Sequence, residues 1–141
     1  MDQVNFLKVA IAARTLQLYY HYCHNLVSGP TFMQDHAEFA ANYAQAELDY
    51  DMIVEYMIAT LGNKALDTKA LNQVLMEKLS SFKVESMSAD KMFEVALKLE
   101  KEYQEVIAAL EKKSSLGLSN ALAGIAQLSD VRIYKIKQRL G

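Results

Sequence analysis

The chain has 141 residues, of which 52% are hydrophobic and 23% charged, and its formal net charge is −2. That is enough chain for one domain with a proper core and too little for two comfortable ones, and the composition excludes a disordered chain or a membrane protein. With no terminal block of Lys or Arg, nothing in the charge pattern suits a protein that tracks a phosphate backbone.

Proline occurs once and glycine five times, and Gly29, Gly62, Gly117 and Gly141 cut the sequence into long pieces. This is the punctuation of an all-helical protein. Over residues 3–27, Val4, Leu7, Ile11, Leu18, Tyr22 and Leu26 recur at intervals of three, four or seven, and the pattern stops at Ser28-Gly29-Pro30. The segment lacks the basic start and cleavage site of a secretory signal. Residues 31–61 carry Phe32, Phe39, Tyr43, Tyr50, Val54, Met57 and Leu61, and end where Gly62 can take a left-handed cap. Both segments read as amphipathic helices, roughly seven to eight turns long.

Asp67 and Thr68 are capping candidates for a short helix over "DTKALNQVLMEKLSSF", which reads as a connection between longer helices. The next long helix opens near Ser88, with Met92, Val95, Leu99, Tyr103, Val106 and Leu110 on its apolar stripe. The last opens near Ser119, with Leu122, Ile125, Ile133, Ile136 and Leu140. The expected fold is therefore all-α: a four-helix bundle with a short helix in the middle crossover connection, one domain over residues 1–141.

No apolar run is long enough to cross a bilayer. The single Cys23 has no partner for a disulfide or a zinc site, so it reads as a small packed hydrophobe in a reducing compartment, with the cytoplasm as the default location. Arg132, Lys135 and Arg139 lie at helical spacing near the end. They read as charges that complement the dipole of the last helix, and a DNA-compaction role would need this strip exposed.

All three histidines, His21, His24 and His36, fall within sixteen positions around one turn. Two antiparallel helices joined there set His24 and His36 at similar height, facing each other. Farther along the second helix, Glu47, Asp51 and Glu55 repeat every four residues on one face. Imidazole and carboxylate together are ligand chemistry for iron, zinc or manganese. Distance is the obstacle, because His36 and Asp51 lie roughly 22 Å apart along a continuous helix. A two-fold dimer that packs this helix against itself antiparallel would bring His24 and His36 of one copy against Asp51 and Glu55 of the other, twice over. A di-iron centre inside the bundle is disfavoured, because no Glu-x-x-His occurs.

The spacing His24-x11-His36-x14-Asp51-x3-Glu55, with "HNLVSGPTF" running from the first histidine, resembles the Dps family of miniferritins. The similarity continues through "MIATLGN", the short connecting helix and the closing "LSDVRIYKIKQRL", so it covers nearly the whole chain. It implies a ferritin-like bundle that assembles as a hollow dodecamer built from two-fold dimers. It also implies a ferroxidase site at each two-fold interface, with His24 and His36 from one subunit and Asp51 and Glu55 from its mate. Such proteins oxidise Fe(II) with hydrogen peroxide or dioxygen and store ferric mineral, protecting against oxidative damage.

The chain departs from the family pattern at several positions. Ala40 stands where many members carry an acidic ligand, which implies one metal held well and a second poorly. Asn25 replaces the aromatic after the first histidine, and Tyr56 the Arg after the glutamate. Leu116 stands where an acid often lines the iron-entry pore. The basic N-terminal tail of DNA-binding members is missing, so DNA binding is not expected. An alternative reading is a structural shell with weak or lost ferroxidase activity, acting as a metal-binding or interaction protein.

Among the remaining residues, Glu47 reads as solvated or part of an inner acidic surface, and His21 as a residue behind the ligands or at an interface. Asp35 and Glu38 read as mineral-nucleating or plain surface acids. Tyr20, one turn before His24, reads as core packing or as a sink for oxidising equivalents. The methionines and other tyrosines read mostly as core and interface filler.

Overall fold

A computed structural model describes residues 2–141, and among them there are only helices and their connections. The chain is all-α: α1 (Gln3–Leu26), α2 (Phe32–Leu61), α3 (Thr68–Ser80), α4 (Ala89–Glu111) and α5 (Leu116–Leu140), with single 3-10 turns at Asn63–Ala65 and Val84–Ser86.

Local chemistry sets the boundaries. Gly29 bends the α1–α2 connection with a positive φ of 108°. Gly62 ends α2 at φ 90° and ψ 167°. This is not the left-handed helical cap expected from sequence but a region essentially restricted to glycine. Side-chain oxygens of Asp67, Ser88 and Ser115 accept from the amides of Ala70, Lys91 and Leu118, capping α3, α4 and α5. Helix α5 therefore begins at Leu116, a turn earlier than the start near Ser119 suggested by the sequence. Ser119 instead donates its hydroxyl to Glu111 at 2.8 Å.

Helix α1 packs against α2, α3 and α4, while α5 packs against α4 and touches α2. The core between them holds Phe6, Leu16, Tyr19 and Tyr20 of α1, Phe39, Ile53 and Met57 of α2, Met92, Phe93, Tyr103 and Leu110 of α4, and Leu122 and Ile136 of α5. Helix α3 contributes only Leu71 and Leu75, as suits a short connector lying on α1. Cys23 is fully buried, and burial pushes its thiol up to about 12, which keeps it unreactive. No helix among the described residues is long and apolar enough to cross a membrane.

The basic strip does not form one surface. Arg132 is buried and grips Glu100 with two bonds of 2.6 and 3.0 Å, while Ser129 and Tyr20 also donate to that carboxylate. Arg139 ties α5 to the starts of α2 and α4 through Asp35, Thr31 and Asp90. Only Lys135 remains largely exposed, 3.7 Å from Glu38. Asp35 is accordingly a buried anchor rather than a surface acid.

Candidate metal site on the α1–α2 seam

His24 closes α1 and His36 opens α2, so the short connection at Gly29-Pro30 folds them against each other. Their rings stack with centroids 3.8 Å apart and planes 18° apart. Nδ1–H of His24 donates to the carbonyl of His36 at 2.9 Å, and Nδ1–H of His36 donates to the carbonyl of His24 at 2.8 Å. A carbonyl only accepts, so both rings carry a proton on Nδ1. In the neutral ring the lone pair is then on Nε2, the arrangement by which backbone partners orient metal-binding histidines. Phe32 stacks on the other side of His36, with centroids 4.9 Å apart. Both imidazoles are partly buried.

The contact continues along both helices as a seam. His21 stacks on Tyr43 at 4.2 Å, Gln17 Nε2 donates to Glu47 at 3.4 Å, and the Arg14 guanidinium lies 3.7 Å above the Tyr50 ring. Arg14 also donates to Gln17 at 2.6 Å. Residues 14, 17, 21 and 24 of α1 thus face residues 50, 47, 43 and 36 of α2. Sequence reasoning gave Arg14 and Gln17 no role. Their spacing from the histidines, at intervals of three and four, was the available signal.

Asp51 and Glu55 are exposed on α2 beside the far end of this seam. Within one copy they do not meet the histidines, and among the described residues no three His, Cys, Asp or Glu side chains gather as a metal site. One chain therefore presents two imidazoles at one end of the seam and two exposed carboxylates at the other. The outward face of α2 between them is small and apolar, with Ala37, Ala41 and Ala44 exposed between Met33 and Leu48, which are 74% and 62% exposed. Tyr20 does not reach this surface, because its hydroxyl turns into the core toward Glu100.

No protein-family model matches this chain, and no curated protein matches it.

Proposed function

We propose that the chain is the subunit of a miniferritin: a ferritin-like bundle that pairs through the α1–α2 face, oxidises Fe(II) at sites shared between two copies, and stores the ferric product in a hollow, dodecameric shell. One observation carries the reading, namely the reciprocal bonds that fix the tautomers of His24 and His36 and leave both Nε2 lone pairs for a metal. Seam packed against seam, antiparallel, sets those imidazoles against Asp51 and Glu55 of the second copy. The alanines of α2 permit the close approach of backbones that this needs. Iron is the substrate. Two Fe(II) ions give up one electron each, hydrogen peroxide takes both together with two protons, and two waters leave. Dioxygen is the alternative oxidant.

Subunit mixing tests the shared site. A variant with both His24→Ala and His36→Ala and a variant with both Asp51→Ala and Glu55→Ala are each expected to be inactive. In a randomly reassembled mixture, half of the dimers are mixed and each mixed dimer regains one intact site, so about a quarter of the wild-type Fe(II) oxidation rate returns. A mixture as inactive as its components refutes the intersubunit site.

A second reading, a shell that has lost efficient oxidation, draws on Leu116, which is 88% exposed at the start of α5 and offers no charge to guide a cation. It predicts equal, slow oxidation by the wild type and the carboxylate variant. The pairing of Arg132 and Arg139 with carboxylates supports the expectation that DNA is not a partner.

A further inference from the structure

We infer that the trough between α3 and α4 binds one fatty acid, its carboxylate met by lysines at one end and its acyl chain lying on apolar side chains at the other. Helices α3 and α4 both pack on α1 and hardly touch each other, so a strip of α1 is left as a floor between them. Ile11, Ala12 and Thr15 form that floor. The α4 wall is a second apolar stripe, Val95, Leu99 and Val106, which the core leaves half-buried.

Two cavities of about 450 and about 400 Å³ meet at Thr15, Lys78, Leu99 and Glu102 and make one continuous trough. Each is of the size that takes a small ligand, roughly 300–1,000 Å³. From Lys91 to Val106 the α4 wall runs for about 22 Å, at 1.5 Å of rise per residue, which suits an extended chain.

The two ends differ in chemistry. Beside Phe82 and Met87 the lining includes Lys78, Lys91 and Lys98 against Glu94 and Glu102, an excess of one positive charge in a chain whose net charge is −2. None of these lysines forms an ion pair among the described residues. Lys91 stands in the first turn of α4, where the helix dipole disfavours a cation, so helix stability does not account for its place. Toward the other end the lining is Ile11, Ala12, Val74 and Val106, with Lys8 the one charge added there. A ligand matched to both ends carries a single negative charge on an apolar chain. An inorganic anion would leave the apolar end unfilled, and a neutral apolar molecule would leave the lysines unanswered. The trough uses positions 8, 11, 12 and 15 of α1, a different face from positions 14, 17, 21 and 24 of the seam, so the inference depends neither on the metal nor on pairing.

The test titrates the full chain with dodecanoate labelled with carbon-13 at its carboxyl and kept below its micelle concentration, followed by calorimetry and by the carboxyl resonance. One molecule per chain is expected to bind saturably, while acetate and dodecyltrimethylammonium do not. Lys91→Gln with Lys98→Gln should weaken dodecanoate roughly tenfold or more, with the far-ultraviolet dichroism unchanged, because charge-assisted hydrogen bonds to the carboxylate are lost. Val74→Glu, at a position 38% exposed on the apolar end, should weaken it comparably by setting a charge against the acyl chain. Absence of saturable binding, equal binding of the cationic amphiphile, or wild-type affinity in the folded lysine variant overturns the proposal. Should the lysine variant fail to fold, wild-type affinity in Val74→Glu overturns it instead. Binding to anionic lipid vesicles without binding of free dodecanoate would make the trough a membrane contact and likewise overturn it.

Discussion

Glu100 is buried completely, and its carboxylate is met on all sides by Arg132, Ser129 and Tyr20. Removing one member of such a pair strands a charge in a low-dielectric interior. Arg132→Met alone is therefore expected to lose about 3–5 kcal/mol in urea unfolding, whereas Glu100→Gln with Arg132→Met should recover most of that loss. Two other buried acids respond to pH in opposite senses. Burial raises the Asp35 carboxyl, but hydrogen bonds from Arg139 and Thr31 outweigh burial and hold it below the usual range. That stabilisation is present above the unfolded value, about 3.9, and is lost as pH falls through the lowered folded value. Arg139→Gln should cost about 2 kcal/mol at pH 7 and little once Asp35 is protonated, as thermal melts across the acid range would show. Asp49 is raised by burial despite bonds from Gln45 and Tyr103, so its ionised form weighs against the fold at neutral pH. Asp49→Asn is expected to raise the melting temperature at pH 7, the gain vanishing below about pH 4, where the aspartate is protonated in both states. The spacing of Arg132, Lys135 and Arg139 was legible in the sequence, but their partners were not. Glu100 and Asp35 lie on other helices, and only the packing of α4 and α2 against α5 determines which charge each arginine meets.

Helix identity was legible because the 3.6-residue period survives over many turns, but in α1 the face was misread: Val4, Tyr22 and Leu26 of the expected stripe are exposed, and the core takes Phe6, Val9, Leu16, Tyr19, Tyr20 and Cys23 instead. Helix ends were less legible, since several residues compete for each cap. At α5, Ser115 and Ser119 both precede apolar residues, and Gly117 between them reads as a break, yet it lies inside the helix. Ser115→Ala should cost about 1 kcal/mol in thermal or urea unfolding, and Ser119→Ala distinctly less, because only Ser115 satisfies an otherwise free backbone amide. An equal loss from both would place the cap at Ser119 after all. The candidate site was partly legible in the same way. The turn between α1 and α2 told that His24 and His36 share a height. The seam itself, with Tyr43 against His21 and Arg14 over Tyr50, depends on the roll of α1 against α2, which periodicity leaves free.

For the whole molecule, the question is whether a second copy covers the outward face of α2. The midpoint between His36 and Asp51 falls at Tyr43 and Ala44, so the two-fold axis of the proposed dimer would pass there. Ala44 is exposed and contributes nothing to the core of its own chain. Ala44→Arg should leave each subunit folded while setting two arginines against each other across the axis, where like charges and steric bulk oppose close packing. The expected outcome is an unchanged far-ultraviolet dichroism spectrum, a sedimenting species with the 15.9 kDa mass of one chain, and Fe(II) oxidation no faster than in the variant lacking Asp51 and Glu55. Ala109→Arg, on the exposed face of α4, provides the matched control and should keep both assembly and oxidation. The reasoning is specific to the axis, because a charge added at an exposed alanine alters the fold little in either position. An Ala44→Arg protein that assembles and oxidises iron like the wild type would mean that the copies meet elsewhere. His24 and His36 would then lack the carboxylates of a second chain, and the proposed iron site would have no geometry to support it.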